Sequence, residues 1–367
     1  MTDEKAARFP GPGVEFAPAE QFFRQEVQLA LRNRGMPLEG MRYDITPVGM
    51  HYLLVHFDIP AGEVEGWQLK VEGLVRQALS LTLDDLQRRL KETLAVTMEC
   101  AGNGRALMEP RPVSQPWHVE AIGTAEWSGT PLRGVLEDAG LTEGAVELVF
   151  TGLDRGVQGD EVQLYQRSLT VAEAMREEVL LAYEMNGRPL EPQHGYPLRL
   201  LVPGWYGMTS VKWLAAIEAV AEPFQGYQQL GSYRYTQSLE DPGDPVSLIS
   251  VRALMVPPGI PDFATRARLV EAGAVALSGR AWAGRYDVIR VEVSTDDGAT
   301  WEDARLDPPV GPHAWRAWRY DWAATPGRYA LGVRATDSAG NSQPLDPPWN
   351  AHGMGNNTAQ RVEVLVE

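Results

Sequence analysis

The sequence predicts an α+β protein of two domains, a mixed domain of strands and short helices followed by an all-β sandwich. Three observations carry that expectation. A chain of 367 residues is too long for one ordinary hydrophobic core. Its first 240 residues interleave helix-like and strand-like patterns without the regular alternation of a doubly wound sheet. Beyond Asp241 helical periodicity is lost, and short alternating runs separated by turns replace it.

Residues 1–40 read as an N-terminal arm, in which Pro10, Pro12 and Pro18 precede a helical stretch from Ala19 to Asn33 closed by Gly35 and Pro37. Residues 41–240 form the mixed domain. Thr82 is the expected N-cap of a helix whose Leu83, Leu86 and Leu90 share a face. Thr130-Pro131 opens a second helix with proline at its first position, and Gly140 stops it. Thr170 and Glu173 have the spacing of a capping box for a third. Val146 to Phe150 and Leu198 to Val202 read as strands. A proline–glycine cluster from Pro242 to Pro261 then opens the terminal domain, residues 241–367. Ile289, Val291 and Val293 alternate with polar residues before Asp296-Asp297-Gly298, a hairpin signal. Tyr329, Leu331, Val333 and Ala335 alternate again, and Trp301, Trp315, Trp318 and Trp322 are available to fill a sandwich core.

The balance of 33 basic against 49 acidic residues gives a formal charge of −16. That argues against nonspecific nucleic-acid binding and against an anionic membrane surface, while leaving room for a local basic pocket. No apolar run approaches the roughly 20 residues of a membrane helix. Met1-Thr2-Asp3-Glu4-Lys5-Ala6 lacks the pattern of a leader, so a cytoplasmic protein is expected unless a leader has been removed.

Chemistry concentrates in two segments. The first holds the single cysteine, in Glu99-Cys100-Ala101-Gly102-Asn103-Gly104-Arg105. One thiol excludes an internal disulfide and any CxxC metal site. Gly102 and Gly104 permit a sharp turn or a close approach, and Arg105 is expected to favour the thiolate, the form that attacks or ligates. The second runs from Tyr183-Glu184-Met185-Asn186-Gly187 to Val211-Lys212-Trp213. Here His194, Arg199 and Lys212, with glycine-exposed backbone N–H groups, suit a phosphate. GxGxxG, P-loop, GxSxG and HExxH motifs are absent, and the six histidines are too dispersed for a histidine-rich zinc site. A cysteine–histidine nucleophile pair, with His56, His118 or His194 beside Cys100, stays open on the residues alone, as does a non-catalytic binding module built on the sandwich.

Cys100-Ala101-Gly102-Asn103 with Arg105, Trp117 followed by Ala121-Ile122-Gly123, and Trp127-Ser128-Gly129-Thr130-Pro131-Leu132 together resemble the molybdenum domain of the sulfite oxidase family. The Tyr183 to Trp213 segment resembles it too. Val291-Glu292-Val293-Ser294 and Arg334-Ala335-Thr336-Asp337 look like that family's immunoglobulin-like dimerisation domain. The resemblance covers roughly residues 40 to 367. It implies that Cys100 ligates a molybdenum ion whose other sulfurs come from a molybdopterin dithiolene, a soft-ligand arrangement, with the cofactor carrying the redox chemistry. It further implies that His56, Asp154, His194, Arg199 and Lys212 hold the cofactor, aided by backbone around Thr209 and Ser210. Tyr233, Arg105 and Trp117 fall at active-site positions, and the terminal domain would make a homodimer.

The chain departs from the family pattern at two expected anion-binding arginines, where it has Leu54 and His352. Charge-assisted hydrogen bonds to a small anion are worth roughly 1.5–3 kcal/mol each. Arg105, a protonated His352 or Arg234 would have to compensate. No b5-type His-Pro-Gly-Gly or CxxCH haem segment is visible, so electrons are expected to pass to a separate acceptor such as a cytochrome. The implied reaction is oxygen-atom transfer at a sulfur centre, sulfite to sulfate first, with a sulfoxide or organic sulfur compound as the alternative.

Overall fold

The computed structural model describes residues 16–17, 21–60, 66–158, 160–238 and 240–367. Alternation in Leu69-Lys70-Val71-Glu72 buries Leu69 and Val71 and leaves the charged residues in solvent, which makes strand β1 (Leu69–Gly73). It pairs with β2 (Leu79–Leu81). After α2 (Leu83–Gln87), β3 (Glu92–Glu99) leads directly into Cys100, and β4 (Ile122–Pro131) runs back beside it. Helix α3 (Leu132–Ala139) follows, then a long hairpin of β5 (Glu147–Gln158) and β6 (Glu161–Thr170). Helix α4 (Val171–Ala174), β7 (Leu180–Met185), β8 (Arg199–Leu201) and β9 (Leu214–Val220) complete the mixed domain.

These strands form two sheets, one in the order β2-β1-β9-β5-β6 and one in which β7 lies beside β4 and β4 beside β3. Strand β8 pairs with β7. The core of the first sheet contains Leu69, Val71, Phe150, Ile217 and the buried face of α3. The second sheet carries the cysteine.

From Arg252 onward the chain is all β, as the loss of helical periodicity predicts. A four-stranded and a six-stranded sheet pack together. Between them lie Val291, Val293, Leu331, Val333, Trp318 and Trp322. Asp297 and Gly298 adopt positive φ of 57° and 85°, the geometry the hairpin turn needs. Trp301 is instead half-buried, with the Arg334 guanidinium 4.3 Å from its ring centroid. Trp315 sits in a third cluster between the domains, with Met36, Met41, Ala101, Tyr206, Tyr233 and Trp282.

The helices depart from expectation at their ends. The first is α1 (Arg24–Arg32); the expected arm prolines and Ala19 lie outside the described residues. Thr82 caps α2 as expected and Asp85 completes the box, but the helix stops at Gln87, leaving Leu90 on the surface at 69% exposure. Thr130 and Pro131 end β4, and Pro131, with ψ 129°, is the N-cap of α3 rather than its first residue. Gly140 terminates α3 at φ 67°. The Thr170 hydroxyl accepts the Glu173 N–H at 3.3 Å, but the Glu173 carboxylate does not return to it. It pairs across the domain boundary with Arg285, whose Nη1 donates to Oε1 at 3.0 Å and whose Nη2 donates to Oε2.

That pairing holds the Glu173 carboxyl below its usual value of 4.5. Its stabilising effect is complete above that value and is lost as pH falls through the lowered one. Glu173→Gln is expected to lower Tm at neutral pH, with wild type and variant converging in acid. A Tm difference that persists unchanged well below pH 4.5 would contradict this assignment.

Candidate active site

Burial deepens along β3, from alternating at Glu92 to complete over Val96 to Cys100. The strand is held on both edges. Strand β4 pairs with it on one, and on the other the Thr97 N–H donates to His313 O at 2.8 Å, bringing in the sandwich domain. The cysteine turn then closes on itself, Asn103 N–H donating to Cys100 O at 2.9 Å. A Cβ on Gly102 would lie 2.7 Å from the Arg105 guanidinium, and one on Gly104, at φ 89°, would meet Asn356 O at 2.9 Å. Gly104 admits only glycine, whereas a side chain at Gly102 would push the Arg105 guanidinium aside.

Glu99, immediately before the cysteine, is 1% exposed and carries a buried carboxylate. It accepts from Asn103 Nδ2 at 2.9 Å, from Arg252 Nη1 at 2.7 Å and from Trp282 Nε1 at 2.8 Å. Arg252 and Trp282 belong to the sandwich. The same domain returns at Gly355, whose N–H donates to Ala101 O at 2.6 Å, and at Asn356, whose side chain donates to Gly104 O at 2.7 Å.

Cys100 opens into a narrow cleft of about 60 Å³. Tyr52, Met98, Tyr165 and Tyr233 also wall it, and Leu54 contributes an apolar side. The rest is basic. His51, His56, His194, Arg199 and Lys212 line the cleft, with Asp154 the one carboxylate among the lining residues. Arg199 donates to His194 O and Ser210 O, both at 3.1 Å, and lies 4.7 Å from the Trp127 ring centroid. Lys212 Nζ donates to Leu54 O at 2.7 Å and Gln193 O at 3.2 Å. His56 Nε2 meets Gln158 Oε1 at 3.0 Å.

Every base here is pushed toward its neutral form. Burial lowers His51 to about 4, His194 to about 2, Lys212 to about 7 and Arg199 to about 10, and for His51, His194 and Lys212 neighbouring cations add to the effect. Burial likewise raises Asp154 to about 6. Arg199 Nε, Thr209 Oγ1 and Asp154 Oδ1 are buried without a hydrogen-bond partner among the described residues. Arg199 keeps its charge and has an unpaired donor in Nε, and Lys212 and the neutral histidines add further N–H groups, so this wall suits an anion. An anionic pterin phosphate supplies one, so the residues fit molybdopterin. Among the described residues no cluster of three His, Cys, Asp or Glu side chains could hold a metal alone. The further ligands of a metal on Cys100 would come from the cofactor dithiolene.

The cleft thus gathers Cys100, His56, Asp154, His194, Arg199, Ser210, Lys212 and Tyr233, as the sequence predicts. Other expectations need correction. The Thr209 and Ser210 N–H groups are engaged inside their own turn, at Tyr206 O and Gly207 O, and so are not free to hold a phosphate. Arg105, Trp117 and His352 do not line the cleft. Arg105 is buried against the sandwich, donating to His352 O at 3.3 Å and Gln115 O at 3.0 Å. It does pull the Cys100 thiol toward thiolate, as do the Gly102 N–H and the Trp117 indole, but burial is the larger effect and raises the thiol. His352 is lowered by burial and by Arg105, so it is no protonated substitute for an arginine at neutral pH. Arg234 donates to Pro242 O and to Gly243 O at 2.5 Å instead of reaching the cleft. His118 is exposed and outside it.

Sequence reasoning missed His51, whose ring stacks 5.1 Å from Tyr52 and meets His194 edge-on at 5.9 Å. It also missed Tyr52, Tyr165 and Glu99. The Glu99–Asn103 spacing across the cysteine was the available signal for the last.

The family model for the oxidoreductase molybdopterin binding domain matches residues 56–228, and that for the Mo-co oxidoreductase dimerisation domain matches residues 251–367. The mitochondrial sulfite oxidase of Homo sapiens is 37% identical over 340 residues, covering 88% of this chain and 62% of its own. The chain therefore spans less than two thirds of the mammalian relatives it matches. Sulfite oxidase of Gallus gallus is 35% identical over 84% of this chain and 71% of its own. Inducible NADH nitrate reductase 2 of Glycine max is 30% identical over 88% and 39%. The solved sulfane dehydrogenase SoxCD of Paracoccus pantotrophus shares the fold at TM-score 0.79 and 24% identity, over 100% of this chain and 95% of that one. The chain belongs to the sulfite oxidase family of molybdopterin-dependent oxidoreductases.

Removing the Glu99 carboxylate would leave Arg252 charged and buried. Glu99→Ala is expected to cost about 3–5 kcal/mol, the usual penalty for breaking a buried pair. Chemical denaturation with the linear extrapolation measures it, and a loss no larger than that of an exposed ion pair would contradict the role assigned to Glu99.

Proposed function

We propose that this protein is a molybdopterin-dependent oxidoreductase that transfers an oxygen atom at a sulfur centre, with sulfite to sulfate as its reaction. The observation that carries the proposal is the cleft itself, where the one thiol of the chain and Tyr233 share a wall with an unneutralised group of bases. When bound, the cofactor supplies the oxygen-atom and two-electron chemistry.

The chain's residues bind, orient and exclude. Cys100 Sγ is the protein ligand for the metal. Lys212, Arg199 and the neutral His194 offer N–H donors to the pterin and its phosphate, and Asp154 balances Lys212. Burial pushes Tyr233 up to about 12, so its phenol stays protonated at neutral pH and donates to an anionic oxygen. Arg105 and Trp117 position the cysteine from behind. In the net reaction sulfite gains an oxygen from water while two protons and two electrons leave, the electrons going to an external acceptor, a cytochrome by our reading. We further propose a homodimer formed through the terminal domain, which matches the family's dimerisation domain, and a cytoplasmic location.

A second reading keeps the cofactor and changes the substrate to a sulfoxide or organic sulfur compound. Leu54 favours it, an apolar wall where the family pattern has an arginine. Steady-state kinetics of the cofactor-loaded enzyme with sulfite and an artificial acceptor separate the two. Sulfite oxidation predicts saturation at or below millimolar sulfite, and a roughly 10²-fold loss of kcat/KM in Tyr233→Phe, the scale of removing one donor from a transition-state oxygen. A KM far above millimolar would reject sulfite in favour of the second reading.

A further inference from the structure

Strand β6 places Tyr165 and Arg167 two residues apart, hence on one face, and both meet Tyr233. Tyr165 lines the cleft, donates its hydroxyl to Met208 O at 2.7 Å, and packs its ring 5.1 Å from that of His56. Arg167 lies behind. It is 2% exposed, with its guanidinium carbon 5.4 Å from the Tyr233 ring centroid. Its Nη1 donates to Gln228 O, and its Nε is buried without a partner. Among the described residues no carboxylate forms an ion pair with it. An arginine buried without a counter-ion is costly and lowers stability unless something offsets its charge. The Tyr233 ring face offsets part of it. Tyr233 itself lines the cleft, so the uncompensated charge lies directly behind a lining residue, in a cleft to which Leu54 brings no charge.

We infer that Arg167 is the positioning and anion-selecting residue of this active site, acting through Tyr233: it holds the ring in place and supplies the positive potential that a small oxyanion substrate needs in the Leu54-walled cleft. This rests on the reading of the site given above. Arg167 does not touch substrate. It stacks on the group that does, and it supplies from behind the tyrosine some of the charge missing at Leu54 and His352.

The test uses the cofactor-loaded enzyme and inorganic sulfate, a non-reacting oxyanion, titrated by calorimetry into wild type, Arg167→Met and Arg167→Lys. Arg167→Met is expected to weaken sulfate binding about tenfold, the scale of removing one unit charge that acts through space rather than by contact. Arg167→Lys is expected to fall between, because charge returns without the planar stacking. With sulfite, KM should rise more than kcat falls. Molybdenum content should be kept, and Tm should hold or rise in Arg167→Met, since an unpaired buried charge has been removed. A merely structural arginine predicts the opposite, a lowered Tm with unchanged sulfate affinity, and that result overturns the inference. If Arg167→Met does not fold, Arg167→Lys decides: wild-type sulfate affinity overturns the inference and intermediate affinity supports it. Wild type that binds sulfate without oxidising sulfite sinks the proposed reaction while leaving Arg167 its role. Wild type that does not bind sulfate overturns the role itself.

Discussion

Everything around the thiol depends on one buried carboxylate. Glu99 is joined to Asn103 inside the cysteine turn and to Arg252 and Trp282 of the sandwich. An ionised group so placed is tolerable only when each oxygen is hydrogen-bonded and a cation is close, and both conditions hold. The consequence is mechanical. Cys100 cannot shift without displacing a charge network that spans both domains, so the terminal domain helps set the position of the thiol. Arg105 and the segment from His352 to Asn356 reinforce the same junction.

The opposite side of the cleft follows a different logic. There burial, and after it the proximity of the bases to one another, suppresses their charge, and buried donors go unpaired. Such an arrangement opposes folding unless a ligand neutralises it. An anion bound in the cleft would therefore raise stability. The rigid junction fixes the thiol, and the basic wall faces it across the same cleft, which Tyr233 and Leu54 also line.

Much of this was legible in the sequence. The alternation through Ile289 to Ser294, the turn at Asp297-Gly298 and the Thr82 cap are local signals, and local signals survive folding. Leu90 and Pro131 were misplaced because helix ends depend on what the chain must do next, here enter β3 and leave β4. That His194, Arg199 and Lys212 meet in one cleft was readable because short-range spacing puts them on one strand–turn unit. The Glu99–Arg252 and Glu173–Arg285 pairs were not, since their members are brought together only by the packing of two domains. The hydrogen bond from Arg105 to His352 O was not legible either, since only domain packing brings the two together, and burial outweighs a neighbouring charge in setting the state of Cys100.

The central claim is that Cys100 is the protein sulfur on a molybdenum held by molybdopterin. X-ray absorption at the molybdenum edge of the cofactor-loaded protein tests it most directly, with wild type compared against Cys100→Ser. The account predicts molybdenum in the wild type and a first coordination shell that loses one sulfur scatterer in the variant. An unchanged sulfur shell, or wild-type protein without molybdenum from a host that makes the cofactor, would contradict it.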